Sequence, residues 1–237
     1  MKHDKPLSFW NRLYVYQKQR FPIVFLLLAT FPVILSSTAV VAQNKLNFLQ
    51  MSSVLIASVC YLFHIRVIDD YRDFEHDSLY HKDRPVQIGI ISLTDLKKID
   101  IIAVFIFLLI AISSGMYGLG LSILMLVYTF FAEKEFLMTE KIRKHFFIYN
   151  AINLLQMMLL QAFVYCFFFK YFYLNTIIII HFLFITIGTL IFDFLRKLKT
   201  PQTESIGKDT YTWHLGFGNS IFFYLFLNYF LIFYSTK

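Results

Sequence analysis

The sequence has 237 residues, of which 58% are hydrophobic, 19% aromatic and only 16% charged. A water-soluble domain of this size needs more charge on its surface, so the composition excludes that class. The net charge of +7 lies in short basic loops and not in a soluble basic domain, which argues against nucleic acid as a partner and for anionic lipid head groups.

Seven apolar runs approach the roughly 20 residues that a helix needs to cross the hydrocarbon core of a bilayer. We predict spans at 22–42, 47–66, 99–115, 117–133, 147–169, 172–193 and 217–235. In the N-terminal segment 1–21, aromatic residues stand among basic ones, which predicts an interfacial helix over 6–20. No linker or internal repeat divides the chain, so the expected fold is one all-α transmembrane bundle over residues 1–237.

The basic residues lie on one side of these spans. The segments 1–21, 67–98, 134–146 and 194–216, together with Arg66, hold 19 of the 22 Lys and Arg residues. Because cytoplasmic loops carry the excess of Lys and Arg, we predict a multi-pass protein of the bacterial inner membrane with a cytoplasmic N-terminus. All 15 acids belong to the same segments or to the helix ends that touch them, so the candidate active-site loops are cytoplasmic too.

The first group of acids lies at the start of the loop 66–98. If the second span continues as a helix beyond the bilayer, Asp70, Asp73 and Asp77 share one face, with Asp69 beside them. Carboxylates at these spacings repel one another, and a divalent cation relieves the repulsion directly. Mg²⁺ prefers one or two carboxylates plus substrate phosphates, so the pattern predicts a diphosphate substrate. The alternative is a solvated charge run.

Basic residues follow each group of acids. Lys82 and Arg84 come after the first group and can hold diphosphate oxygens. The second motif loop, 193–216, begins with Asp193 at the bilayer boundary, where an isolated carboxylate is costly. Asp193 either forms helix-surface ion pairs with Arg196 and Lys197, or binds a second Mg²⁺ while those cations meet the diphosphate.

The two regions resemble the UbiA superfamily of intramembrane prenyltransferases. The first family motif, N/D-D-x-x-D-x-x-x-D, is matched by Asp69, Asp70, Asp73 and Asp77, and its Arg-Pro and Gly-x-x-Ser elements by Arg84-Pro85 and Gly89 to Ser92. The second motif is matched by Asp193, Glu204, Gly207 to Thr210 and Leu215-Gly216. The family usually has nine transmembrane helices against seven here, and its Tyr followed four residues on by Lys is here Tyr128 followed by Ala132.

The resemblance implies Mg²⁺-dependent transfer of a prenyl group from a prenyl diphosphate to an aromatic or lipid acceptor. The expected catalytic residues are Asp70, Asp73 and Asp77. The expected Mg²⁺ ligands are Asp69, Asp70, Asp73, Asp77 and Asp193. The expected diphosphate-binding residues are Lys82, Arg84, Arg196 and Lys197. Arg66, Glu204 and Asn153 are further candidate site residues with no assigned role.

Two other functions stay open from the residues alone. A membrane transporter would need polar groups near the bilayer midplane, where this chain has mainly Phe, Ile and Leu. A non-catalytic, lipid-binding relative would keep the fold without the reaction. For the acceptor, the polar residues of the fifth span are candidates, or else they join helices to one another: Asn150, Asn153, Gln156 and Gln161.

Overall fold

The computed structural model describes residues 7–42, 47–137, 145–169, 175–204 and 209–235, and the regular elements in these ranges are all helical. Besides a short 3₁₀ turn at Glu135–Leu137, the helices are α1 Phe9–Arg20, α2 Ile23–Ala42, α3 Phe48–Arg72, α4 Phe74–Tyr80, α5 Leu93–Ser113, α6 Gly115–Glu133, α7 Phe146–Phe169, α8 Thr176–Arg196, α9 Tyr211–Leu215 and α10 Phe217–Ser235. The predicted all-α class is confirmed.

Each predicted span corresponds to a helix, as expected for a backbone that must satisfy its own hydrogen bonds in lipid. Five stretches are long and apolar enough to cross a membrane: Ile23–Val41, Phe48–Arg72, Gly115–Glu133, Phe146–Phe169 and Thr176–Arg196. The helix α5 has the length, but Lys97, Lys98 and Asp100 occupy its first half. The apolar stretch of α10, Phe217–Phe233, is shorter.

Two helices extend beyond their predicted ends. The helix α3 continues from the predicted end at 66 to Arg72, and α8 continues from 193 to Arg196. The spans were predicted from the length of the apolar runs alone. The polar last turns are helical as well, because they continue the backbone hydrogen bonds of the helix. The first acids of both motifs therefore lie on helix ends, not in loops.

The centre of the bundle is α3, which packs against α2, α5, α6 and α7. Its Tyr61 is fully buried and stacks on Phe107 of α5, with ring centroids 5.4 Å apart. Phe163 of α7 packs against Phe107 from the other side, at 5.3 Å. Large rings interlocked in this way hold α3 by close van der Waals contact, the main force between helices in lipid.

The N-terminal helix α1 packs on the end of α3. Its Tyr16 is fully buried in a cluster that includes Val67, Ile91 and Leu96, while Trp10 is exposed. Ser92 caps α5 by accepting a hydrogen bond from the Asp95 backbone N–H at 3.0 Å. The N-terminal segment contains a helix, as predicted, with one buried tyrosine, and its interfacial position stays a prediction.

Candidate active site

The helix breaks inside the first acidic motif. Asp73 is the C-cap of α3, with φ −93° and ψ 8°, and α4 starts at the next residue. The predicted common face holds for Asp70 and Asp77, which share Arg20, but Asp73 contacts different neighbours. Asp69 and Asp73 lie towards α7, whereas Asp70 and Asp77 lie towards α1 and Arg84.

Asp70 is held by three donors. Tyr16 donates to its Oδ2 at 2.6 Å, and Arg20 and Arg66 donate to its Oδ1 at 2.7 Å and 2.6 Å. The Asp70 side chain is only 4% exposed. Burial, and then the nearby guanidinium of Arg66, lower the pKa of Arg20, and burial raises the pKa of Tyr16. Asp70 is thus a buried anchor for α1.

Asp77 has a similar environment. Its Oδ2 pairs with Arg84 and lies 3.7 Å from Arg20, and its side chain is 3% exposed. Asp70 and Asp77 together face three guanidinium groups, so this cluster carries an excess positive charge. An excess of positive charge repels a metal cation, so these two predicted ligands fit Mg²⁺ poorly.

His76, Asp77 and His81 place three ligand atoms within 4.8 Å of one another. Two imidazoles suit a transition metal better than Mg²⁺, and Asp77 is already paired with Arg84. This group is therefore a poor place for the predicted cofactor.

Asp69 and Asp73 form a different environment, on the side of α7. Arg72 donates to Asp69 Oδ1 at 2.5 Å and to Asp73 Oδ1 at 3.2 Å, and Tyr149 donates to Asp73 Oδ2 at 3.0 Å. The two carboxyl side chains are 21% and 28% exposed. Two carboxylates share one arginine here, and both are accessible. Hard oxygen donors with room for water and phosphate are what Mg²⁺ requires.

Asp193 heads the second cluster. Arg196 donates to its Oδ1 at 2.8 Å, and Lys197 and Tyr211 donate to its Oδ2 at 3.0 Å and 3.1 Å. Burial, and then the Asp193 charge, raise the pKa of Tyr211, which keeps its hydroxyl protonated as a donor. The predicted i,i+3 and i,i+4 ion pairs are both present.

The two clusters meet at the first turn of α7. Tyr149 bonds Asp73, and the next residue, Asn150, accepts a hydrogen bond from Lys197 Nζ. Burial lowers the pKa of Lys197, while the carboxylates of Asp193 and Asp69 raise it. Lys197 therefore connects Asp193 to the first turn of α7, next to the Tyr149 that bonds Asp73, while the sharing of one metal by the two helix ends stays a prediction.

The remaining predicted residues lie around these clusters. Lys82 is exposed, and Arg196 is 59% exposed beside Asp193. Glu204 accepts hydrogen bonds from Thr210 and Thr212, so it closes the second loop onto the start of α9. Gly207 of the second motif lies outside the described residues.

The loops of the two motifs also touch. His81, directly after α4, lies 3.3 Å from Asp209 through Nε2 and Oδ2. Contacts at both the helix ends and the loops therefore hold the two motifs side by side.

The bundle is similar to the solved structure of a digeranylgeranylglyceryl phosphate synthase in membranes. The TM-score is 0.60 at 17% sequence identity, over 95% of this chain and 76% of that chain. That protein is a UbiA-superfamily intramembrane prenyltransferase. The chain has the UbiA-type fold. Neither a protein-family model nor a curated relative matches the sequence.

Within this UbiA-type bundle, sequence reasoning missed several partners of the motif aspartates. Among them are Tyr16, Arg20, Arg72, Tyr149 and Tyr211. Tyr16 was read only as an interfacial aromatic, since nothing near it in the sequence links it to Asp70. Tyr211 follows the Gly-x-x-Thr element directly, so the second motif contained a signal for it.

Proposed function

We propose that this chain transfers a prenyl group from a prenyl diphosphate to an acceptor. The observation that carries the proposal is the meeting of Asp69 and Asp73 with the Asp193 cluster across Tyr149 and Asn150. Acids from two distant segments, each next to basic residues, suit a highly charged diphosphate leaving group with its metal. The UbiA-type fold supports the same reaction.

Asp69, Asp73 and Asp193 are the residues that would hold Mg²⁺. Prenyltransferases with this fold generally depend on a divalent metal. When bound, Mg²⁺ supplies charge neutralisation for the diphosphate as the allylic C–O bond breaks. Asp70 and Asp77, which were expected to be catalytic ligands, instead keep three arginines in place beside this site.

Basic groups near the carboxylates would bind the diphosphate oxygens. Lys197 and Arg196 flank Asp193, and Lys82 is exposed on the first loop. Arg66 Nε is buried and has no hydrogen-bond partner among the described residues. A phosphate oxygen would satisfy that donor, which supports Arg66 as a binding residue and not only a partner of Asp70.

Aromatic rings near the same point can stabilise the allylic cation. Lys197 Nζ lies 5.8 Å from the ring centre of Phe146 and 5.7 Å from that of Tyr211. These ring faces therefore already interact with a positive charge in the folded chain. An allylic cation formed at the diphosphate would be attracted to them for the same reason.

The site is proposed to face the cytoplasm. The charged ends of α3 and α8 and the loops that follow them hold the motifs, and the basic residues of the sequence concentrate in the same segments. The excess of Lys and Arg in cytoplasmic segments then orients the bundle.

The test measures diphosphate release from labelled farnesyl and geranylgeranyl diphosphates by the purified protein in lipid nanodiscs, with Mg²⁺ and a lipid-extract acceptor. We expect release and a labelled lipid product, both abolished by EDTA and by Asp73→Ala. The matched control is Asp95→Asn. Asp95 lies on α5 and pairs with Arg12 of α1, away from the two clusters.

Release that persists in EDTA and in Asp73→Ala would refute the proposal. Tight binding of the prenyl diphosphate without release would indicate a non-catalytic relative. Uptake of divalent metal into proteoliposomes would indicate a transporter instead.

A further inference from the structure

Two buried side-chain carbonyl oxygens in the interior of the bundle have no hydrogen-bond donor among the described residues. They are Asn153 Oδ1 and Gln156 Oε1. The Gln156 side chain is 2% exposed. A buried acceptor left unpaired costs about 1–3 kcal/mol, and lipid provides no water to relieve it. Two such atoms within one turn of a helix point to a ligand that brings the donors.

The position of these oxygens connects them to the active site. Tyr149, Asn153 and Gln156 lie at i, i+4 and i+7 on α7 and so share one face. Tyr149, the first of these three residues, donates a hydrogen bond to Asp73 of the first motif. The helix rises 1.5 Å per residue, so Asn153 lies about 6 Å and Gln156 about 10 Å further into the bundle.

The surroundings of Gln156 fix which end of its amide is free. Its Nε2 donates to Thr129 Oγ1 at 3.4 Å, and Thr129 itself donates to the Met125 carbonyl at 2.9 Å. Because the Thr129 hydroxyl proton is used, the amide nitrogen is the group that faces it. The Gln156 oxygen is therefore the unpaired atom.

We infer that Asn153 and Gln156 bind the acceptor substrate, and that this acceptor carries hydroxyl or amino groups which donate to the two carbonyl oxygens. The inference rests on the proposed prenyl transfer. An acceptor O–H or N–H also suits the chemistry. The acceptor's heteroatom forms the new bond to the prenyl carbon, and the carbon–diphosphate bond breaks with its electrons on the diphosphate. The acceptor proton passes to the released diphosphate. A hydrocarbon acceptor would leave both carbonyls unpaired.

The experiment uses the full chain in nanodiscs with labelled geranylgeranyl diphosphate and a total lipid extract as acceptor. One portion of the extract is acetylated with acetic anhydride, which caps hydroxyl and amino groups. The variants Asn153→Leu and Gln156→Leu remove the carbonyl oxygens. The matched control is Gln161→Leu, a buried amide on the same helix that donates to Ser37 at 2.9 Å.

We expect transfer to the untreated extract and none to the acetylated extract. Asn153→Leu and Gln156→Leu should each raise the extract concentration for half-maximal transfer by about 10-fold, the effect of about 1.4 kcal/mol in binding. The ratio of transfer to slow Mg²⁺-dependent hydrolysis without acceptor should fall in both variants at low extract concentration, whereas a purely structural role would lower both rates together. Gln161→Leu should leave the half-maximal concentration unchanged.

Each alternative result has a separate meaning. Equal transfer to acetylated extract, or an unchanged half-maximal concentration in both variants, would overturn the acceptor site while prenyl transfer stands. If the unmodified protein neither hydrolyses nor transfers the prenyl group, both proposals fail together. If a variant loses hydrolysis as well, Gln156→Glu, which keeps the oxygen, should restore transfer, and failure to do so would also overturn the site.

Discussion

Asp70 and Asp73 are three residues apart but have opposite surroundings. Asp70 is buried against Arg20, Arg66 and Tyr16, while Asp73 is more than a quarter exposed and shares Arg72 with Asp69. A buried carboxylate between arginines stabilises the fold because its removal leaves positive charges unpaired in a region of low dielectric. Two partly exposed carboxylates that share one arginine retain oxygen lone pairs for a metal.

This difference predicts opposite effects for two matched substitutions. Asp70→Asn should lower the free energy of unfolding by about 3–5 kcal/mol, because Arg20 and Arg66 lose their partner. Asp73→Asn should change it less, because Arg72 keeps Asp69 as a partner, yet lower Mg²⁺-dependent diphosphate release by about 100-fold. Thermal unfolding in detergent and the release assay measure the two effects, and equal loss of stability in both variants would contradict the assignment.

At this scale the sequence located the acids but not their partners. The spacing of the first motif predicted a set of metal ligands, and it joined Asp70 to Asp73 although their side chains contact different neighbours. Tyr16 bonds Asp70 and Tyr149 bonds Asp73, and neither tyrosine is close to the motif in the sequence. Their contacts with the acids required the packing of α1 and α7.

At the scale of elements, the corner between α5 and α6 is a point of close packing. Gly115 adopts φ +82° there, a conformation that favours glycine. One turn later, a Cβ on Gly118 would lie 1.9 Å from Ser114 Oγ and 2.6 Å from Ser114 Cβ. Ser114 is fully buried and donates to the Ala111 carbonyl, so it has no room to move.

The packing predicts that Gly118→Ala destabilises the protein by about 1–3 kcal/mol, as overpacking does in a filled core. Gly120→Ala on the same helix has open space around its new methyl group and serves as the control. Heating with a thiol-reactive dye reports unfolding, because unfolding exposes the partly buried Cys60 and the buried Cys166. A midpoint for Gly118→Ala equal to that of the control would contradict the packing argument.

The docking of α1 on α5 has a pH dependence. Arg12 pairs with Asp95 at 3.0 Å, and hydrogen bonding to Ser92, followed by the Arg12 charge, lowers the pKa of Asp95 below its ordinary 3.8. Because the folded-state pKa is lowered, the ionised carboxylate contributes stability above pH 3.8, and this contribution is lost as the pH falls through the folded-state value.

We therefore expect pepsin to release α1 more rapidly as the pH falls below about 3.8. Asp70 also ties α1 to the bundle, so the informative quantity is the difference between the unmodified protein and Asp95→Asn. The variant should be cleaved faster above that pH, and the difference should disappear below it. Identical cleavage rates for both proteins at every pH would contradict a role for Asp95 in holding α1.

At the scale of the whole molecule, the charged ends of α3 and α8 lie together and the start of α3 lies at the opposite end of that helix. Phe48 begins α3 and is exposed, and Lys82 follows its other end and is also exposed. The helix α3 has 25 residues and is about 37 Å long, enough to span the hydrocarbon core. The two positions should therefore lie on different sides of the membrane.

We predict that single cysteines report these sides separately. In a background with Cys60→Ala and Cys166→Ala, Lys82→Cys should react with an impermeant maleimide only in inverted vesicles, and Phe48→Cys only in intact spheroplasts. The reverse pattern would place the aspartates on the outer face and contradict the positive-inside orientation. Labelling of both cysteines from one side would show that α3 does not span.

The sequence by itself determined the helices, the two acidic motifs and the resemblance to the UbiA superfamily. These features are local, because apolar length specifies a helix in lipid and a motif is a spacing along one segment. The tertiary structure decided which acids face arginines and which remain accessible, and that two side-chain carbonyls of α7 lack donors within the described part of the chain. Those facts join residues such as Tyr16 and Asp70, 54 positions apart. They depend on how each helix is rotated and where α3 breaks, which local periodicity does not encode.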